Sequence, residues 1–194
     1  MKRYSIIRSF CVLVTLSWCM ISCDGFLKES PRDALPEEEG YHNITELYLN
    51  AVASLYNYIG GNSDSQGLQG TGRGIYDLNT FTTDEAIMPR GGDWYDGGFW
   101  QGLFLHKWGI NNDAIQATWE YLYKVVMLSN KSLEQIESYA LTHADAELPA
   151  YRAEVRALRA MYYYYLTDLF GSIPLVLSSK VASKDIVLSE RENI

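Results

Sequence analysis

The fold is decided by residues 151–177, which read YRAEVRALRAMYYYYLTDLFGSIPLVL. Apolar side chains recur there every three or four residues, which predicts one buried face of an α-helix; they are Val155, Leu158, Tyr162, Leu166 and Leu169. Gly171 can adopt the left-handed conformation that ends a helix, and Pro174 prevents the helix from resuming. We therefore expect a long helix that stops at Gly171.

The tyrosine run at residues 162–165 allows two interpretations. Core packing, in which each hydroxyl finds a hydrogen-bond partner, is the commoner use of such a stripe, and direct contact with a ligand is the alternative. Because the run covers more than half of a helical turn, the helix is predicted to touch other chain on several sides. Ala153, Ala157 and Ala160 are small enough to let a neighbouring helix approach closely.

A second long helix is predicted over residues 113–140, where apolar positions alternate in steps of four and three. This seam consists of Ile115, Trp119, Leu122, Val126, Ser129, Leu133, Ile136 and Ala140. Asn130 lies beside the seam and is expected to bond nearby backbone groups. Residues 142–149 read as a polar turn, so the two helices should pair antiparallel.

The first helix of the chain is predicted over residues 43–59. Asn43 can cap it with Glu46 as the reciprocal partner, and Gly60-Gly61 ends it. Its buried stripe is expected to be Tyr48, Val52, Leu55, Tyr56 and Ile59. Since the helices leave apolar faces that few partners can cover, and helical arrays need several stacked units, residues 43–194 are expected to be part of a longer protein.

Residues 60–112 differ in kind, because they hold 12 of the 15 glycines and show no sustained helical period. Residues 77–88 can include short extended or helical pieces. Long irregular segments of this sort are usually functional, so the binding chemistry is expected here.

The amino terminus reads as a targeting signal over residues 1–22. Lys2, Arg3 and Arg8 precede an apolar run of residues 10–21, which is shorter than the roughly 20 residues that a membrane-spanning helix needs. The run stops at Ser22-Cys23, which resembles a bacterial lipobox that leaves Cys23 as a lipid-modified first residue. An ordinary secretory signal is the alternative. Polar residues 23–42 are predicted to be a tether.

Composition excludes several functions. The net charge of −8 argues against binding to nucleic acid and against electrostatic attraction to a membrane surface. His42, His106 and His143 stand alone without metal-ligand spacing, so neither a metal nor another cofactor is expected. The glycines at positions 67, 70, 72 and 74 are not followed by the lysine-hydroxyl ending of a phosphate-binding loop.

Two chemistries remain for the glycine-rich segment. Asp84, Glu85, Asp93 and Asp96 could include the acid–base pair of a glycosidase, although adjacent acids are usually solvated surface. Sugar binding fits better, because flat pyranose faces stack on indole and phenol rings while Asp, Asn and Arg bond the hydroxyls. The candidate ligand-binding residues are Trp94, Tyr95, Asp96, Arg90, Asp84 and Trp100. Packing beneath the loops is the alternative for Trp100 and Trp108.

Several stretches resemble the SusD/RagB family of lipid-anchored outer-membrane nutrient-binding proteins. They are Glu154, Arg156, Leu158-Arg159-Ala160 with Phe170-Gly171; Trp119, Tyr123, Val126 and Asn130; Thr83-Asp84-Glu85; the Trp94–Gly98 loop with Trp100, His106 and Trp108; and Cys23-Asp24-Gly25-Phe26-Leu27. The order and spacing of these motifs are more specific than any one of them, and family members run to several hundred residues.

The resemblance implies an all-α fold, a tetratricopeptide-like helical array with long irregular ligand-binding loops. It further implies capture of a glycan or oligosaccharide at the outer-membrane surface, beside a SusC-like TonB-dependent transporter that imports it, without enzymatic activity. The rival hypotheses are a surface scaffold that binds peptide or protein and, less favoured, a glycoside hydrolase.

Overall fold

The computed structural model describes residues 41–61, 66–69 and 74–194. The predicted signal peptide, Cys23 and nearly all of the tether lie outside the described residues, as do Gly70 and Gly72 of the glycine run. Helices make up most of the described chain and only two short strands are present in it, in keeping with the predicted all-α fold.

Five helices and one short pair of strands make up the described fold. Helix α1 runs as three joined segments, Ile44–Leu47, the π-helical Tyr48–Ala53 and Ser54–Gly60. It is followed by α2 (Ile75–Phe81), α3 (Phe99–Phe104), α4 (Asp113–Ala140) and α5 (Leu148–Phe170). Strands β1 (Ile173–Pro174) and β2 (Leu188–Ser189) pair antiparallel. Single 3-10 turns span Asp96–Gly98, Ser183–Asp185 and Arg191–Asn193.

Helices α4 and α5 form the predicted antiparallel pair. Their contacts show that the helices are antiparallel, because the residue numbers increase along α4 while those of the partners on α5 decrease. The contacts join Tyr121 to Tyr162, Asn130 to Arg159 and Glu137 to Arg152. Every residue of the predicted α4 seam is buried or half-buried. The heptad-like spacing therefore identified the correct face of the helix.

The tyrosine run divides between core and surface. Tyr162 is fully buried, with its hydroxyl 2.9 Å from that of Tyr121, and Tyr163 exchanges two 2.7 Å hydrogen bonds with the backbone of Val176. Core packing is thus confirmed for these two residues, whereas Tyr164 is 65% exposed.

The small-residue face of α5 does not pack as expected in the described chain. Ala153, Ala157 and Ala160 are all exposed, so no helix of the described chain closes on them, and close approach of a further helix stays a prediction. Alanine spacing allows close approach of a helix but does not supply the partner.

Helix α1 begins as predicted, since the Asn43 side chain accepts a hydrogen bond from the Glu46 N–H. Its buried face differs, because the π-helical segment places an extra residue in the turn and rotates the following side chains. Leu47 and Ala51 are fully buried, while Tyr56, which was predicted to be buried, is 43% exposed. Its hydroxyl donates to Glu154, 2.6 Å away, and this hydrogen bond is the main reason that the pKa of Tyr56 rises to about 12.

The connection between α4 and α5 is shorter than the sequence suggested. Leu148 and Pro149 belong to the first turn of α5, where a proline costs no hydrogen bond because its position has no intrahelical acceptor. The prediction that residues 142–149 are all turn is therefore wrong at its end. Helix α5 ends before Gly171, as predicted, but with φ +74° and ψ −114° this glycine has a positive-φ conformation other than the left-handed helical one that was expected.

The chain beyond Gly171 is held against α4 by side chains. The Tyr123 hydroxyl donates to the Pro174 carbonyl at 2.7 Å, and the Asn130 amide donates to the Val176 carbonyl at 2.9 Å. Further along α4, the Glu134 carboxylate accepts from the Ser179 N–H at 2.8 Å. Asn130 thus bonds backbone as expected, and this extended segment gains partners that its two-residue strand does not provide.

Candidate functional site

The glycine-rich segment rests on a small hydrophobic core of its own. This second core contains Leu78, Trp100, Leu103 and Ala114, with Phe81 and Phe99 packed against it. Helices α2 and α3, which the absence of a sustained period concealed, bring these residues together over the first turn of α4. The loops around them are therefore carried by packed structure.

Trp100 lies at the centre of the second core. Only 7% of the residue is exposed, and its ring contacts Phe81 and Phe99 at centroid distances of 4.8 and 5.0 Å. The packing alternative therefore describes Trp100 here, because both faces of a ring cannot be buried and also stack on a ligand.

Trp94 and Tyr95 lie on the loop that precedes α3. Trp94 is 72% exposed and Tyr95 is 43% exposed. Arg90 and Asp96 on the same loop are exposed, and exposed Asp84 lies in the bend that follows α2. The Trp94 indole was predicted to be exposed because its neighbours are glycines and acids, and that exposure is confirmed. Its contact with a ligand stays a prediction.

The turn after Trp94 has an unusual backbone. Asp96, Gly97 and Gly98 have φ of +46°, +62° and +87° in succession. The left-handed region is costly for most side chains, although aspartate tolerates it better than most. The Gly98 N–H donates to the Tyr95 carbonyl at 2.9 Å, which closes the turn and fixes where α3 begins.

Gln101 attaches this loop to α3. Its amide donates to the carbonyls of Met88 and Pro89 at 2.7 and 3.1 Å, just before Arg90. The residue is 7% exposed, and among the described residues its Oε1 has no hydrogen-bond partner. Sequence reasoning missed Gln101, because one polar residue in a six-residue helix gives no periodic signal.

An open groove of about 550 Å³ lies beside the turn. One wall is formed by residues 96–99 with Gly102, and the other by residues 107–112. The second wall brings in Trp108, for which the sequence left sugar stacking and packing beneath the loops as alternatives. It also brings in Lys107 and Asn111, which were not among the predicted site residues.

Trp108 is held at this groove by its neighbour His106. The His106 Nε2 donates to the Thr82 carbonyl at 2.7 Å, which joins the segment to the end of α2. The two rings meet edge to face at 5.3 Å, and Trp108 remains 41% exposed. The histidine backbone has φ +55°, so the segment turns sharply before the tryptophan. The site therefore presents two exposed indoles, Trp94 and Trp108, on separate segments that hydrogen bonds attach to the helices.

The carboxylates of this region are placed at the surface. Asp84, Glu85, Asp93 and Asp96 are all exposed. Within the described residues, no group of three or more His, Cys, Asp or Glu is arranged to hold a metal ion. In that same part of the chain, no helix is long and apolar enough to cross a membrane.

The fold and the loops together define a class of protein: an all-α scaffold that displays aromatic residues on glycine-rich surface loops. A family model described as "Starch-binding associating with outer membrane" matches residues 26–193. The chain belongs to this SusD-like family.

Two relatives and one solved structure resemble this chain. The SusD-like protein P25 of Formosa agariphila is 25% identical over 96% of this chain and 34% of its own length. The starch-binding protein SusD of Bacteroides thetaiotaomicron is 28% identical over 86% of this chain and 30% of its own. A laminarin-binding SusD-like protein shares the fold with a TM-score of 0.58 at 22% identity, over 79% of this chain and 31% of that one. The chain therefore spans about a third of the length of the relatives it matches.

Proposed function

We propose that this chain is the amino-terminal part of a cell-surface lipoprotein that binds a glycan or oligosaccharide. It works with a SusC-like TonB-dependent transporter in nutrient uptake. The observation that carries the proposal is the Trp94 indole, which is 72% exposed on an anchored loop of a protein in a starch-binding family. An exposed indole beside the half-exposed Tyr95 offers a ligand a large apolar face to cover.

The loop offers both kinds of contact that a sugar needs. The Trp94 face takes the C–H side of a pyranose ring, and the half-exposed Tyr95 adds a second aromatic surface with a hydroxyl. Arg90, Asp96 and Asp84 are exposed and supply donors and acceptors for the sugar hydroxyls. Trp100 enters this proposal as the support of the loop rather than as a ligand contact.

We assign no catalytic step to this site. A glycosidase needs a general acid with a raised pKa, which burial in an apolar pocket usually supplies. The carboxylates of this loop are exposed, and the relatives are named for binding. Glycan capture without cleavage is the simpler use of this surface.

The proposed location is the outer membrane, with the acyl chains on Cys23 as the only attachment. Each buried methylene contributes about 0.8 kcal/mol, so three chains hold a protein on the bilayer almost permanently. The acidic chain, with a net charge of −8, favours neither nucleic acid nor an anionic lipid surface as a further partner.

A glycan array followed by calorimetric titration tests the proposal. We expect Trp94→Ala to weaken binding of the best array glycan about tenfold, since stacking contributes roughly 1–1.5 kcal/mol. Tyr164→Ala is the matched control, because Tyr164 is an exposed aromatic, 65% exposed, on α5 rather than on the loop. Binding to a peptide library but to no glycan would favour the peptide-binding scaffold instead.

A further inference from the structure

We propose that the groove between residues 96–99 and residues 107–112 is a second binding subsite, which accepts an uncharged sugar unit. This inference rests on the proposed glycan-binding function and extends it beyond the Trp94 loop. The groove volume of about 550 Å³ falls within the range of small-molecule sites. It is open along one side, which suits one unit of a chain more than an enclosed monosaccharide.

The lining of the groove pairs one flat apolar face with polar groups. Trp108 supplies the face, and the His106 hydrogen bond to Thr82 keeps that ring in place before any ligand arrives. Preorganisation of this kind lowers the entropic cost of binding. The Lys107 ammonium and the Asn111 amide have no hydrogen bond or ion pair within the described chain, so both are available to sugar hydroxyls.

Charge selects among sugar ligands. The groove itself holds one carboxylate, Asp96, and one ammonium, Lys107. Acidic side chains outnumber basic ones over residues 84–113. The basic ones are Arg90 and Lys107, and the acidic ones are Asp84, Glu85, Asp93, Asp96 and Asp113. A sulfated or uronic unit therefore gains no net electrostatic attraction from the groove, whereas a neutral hexose finds both donors and acceptors there.

The glycine at position 109 leaves the groove accessible. A Cβ built on Gly109 meets no atom within 4 Å, and its backbone is outside the left-handed region. The residue lies on the groove wall, where its carbonyl accepts the Asn112 N–H at 3.2 Å. A larger side chain at this lining position therefore starts from open space, without a clash at its Cβ.

This geometry provides a blocking variant with a matched control. Gly109→Leu places a bulky side chain on the groove wall beside Trp108, and Gly60→Leu adds the same side chain at the end of α1, where the Cβ also meets nothing within 4 Å. Wild-type protein and both variants are titrated by calorimetry with laminarihexaose, maltohexaose and polygalacturonate, and their thermal melts are recorded. We expect Gly109→Leu to weaken binding of the preferred neutral hexasaccharide about tenfold, the effect of losing one stacked ring. Gly60→Leu should bind as wild type, and all three proteins should melt alike.

The outcomes separate this inference from the proposed function. Binding that Trp94→Ala weakens and Gly109→Leu leaves unchanged would overturn the groove subsite while the proposed function stands. Tighter binding of polygalacturonate than of either neutral hexasaccharide would overturn the assignment to uncharged sugars. Absence of binding to all three probes and to a glycan array would refute the proposed function, and the groove subsite with it.

Discussion

Trp100→Ala should destabilise the protein strongly, whereas Trp94→Ala, six positions earlier, should not. Trp100 is 7% exposed and Trp94 is 72% exposed. A tryptophan buries up to about 250 Å², so at about 25 cal/mol per Å² the buried part of Trp100 is worth at most roughly 6 kcal/mol and that of Trp94 less than about 2. Since denatured chains already bury some surface, both figures are upper values, and their difference is the firmer quantity.

The cavity left by Trp100→Ala adds to its cost, because Phe81 and Phe99 lose the ring that they contact at 4.8 and 5.0 Å. Large-to-small changes of this kind cost about 3–5 kcal/mol. We therefore expect the free energy of unfolding to fall by about 3–5 kcal/mol in Trp100→Ala and by less than about 1 kcal/mol in Trp94→Ala.

Urea denaturation followed by far-UV circular dichroism measures both variants, and it avoids the loss of fluorescence that removal of a tryptophan brings. Trp100→Phe is the conservative control, which should recover part of the loss because an aromatic ring still fills the second core. Hydrogen exchange in α2 and α3 should accelerate in Trp100→Ala alone. Equal destabilisation by Trp94→Ala and Trp100→Ala would refute the division of this segment into an exposed loop and a packed core.

Three further predictions follow from the segment after α5 and from the signal sequence. Asn130→Ala and Tyr163→Phe each leave the Val176 carbonyl with one hydrogen-bond donor, and the double variant leaves it with none. In urea denaturation the free energy of unfolding of the double variant should therefore fall by about 1–3 kcal/mol more than the sum of the two single losses. Additive losses would contradict a shared acceptor. Hydrogen bonds from a serine side chain and backbone hold the pKa of Glu134 below its ordinary 4.5, so its contribution is present above pH 4.5 and is lost as the pH falls through the lowered value. Glu134→Gln should flatten the acid side of the stability–pH curve, and an unchanged acid slope would argue against this role. Cys23→Ala should release the protein from the membrane fraction, and a variant that still sediments after salt washing would exclude the lipid anchor.

The two long helices could be predicted from sequence because their periodicity is sustained over many turns. Residues 113–140 coincide with α4, and the stop at Gly171 is where α5 ends. Each apolar position in a long seam confirms the next, so single exceptions do not change the result. Local rules were also sufficient for the Asn43 cap, which depends on residues three apart.

The remaining errors have physical causes that a single sequence does not display. The π-helical segment of α1 follows from tertiary packing, and no residue in YLNAVA announces it. Helix α3 has six residues, which is too short for periodicity to distinguish it from a loop. Trp100 and Trp94 have the same side chain, and only the contacts of the folded chain separate a core residue from an exposed one. Gln101 and the groove wall at Trp108 depend on the same contacts.

Polar residues on α4 bind the backbone of the chain that follows α5. Tyr123, Asn130 and Glu134 bond the backbone of Pro174, Val176 and Ser179 in that order. The eleven residues from Tyr123 to Glu134 rise about 16.5 Å along a helix, and the five from Pro174 to Ser179 span about 16.5 Å when extended. An extended segment without long sheet neighbours must find its hydrogen bonds elsewhere, and these side chains provide them along the same overall length of α4. Tyr123 and Asn130, which are among the residues that resemble the family, therefore have a structural role in this chain, because each donates a hydrogen bond to a carbonyl of the segment that follows α5.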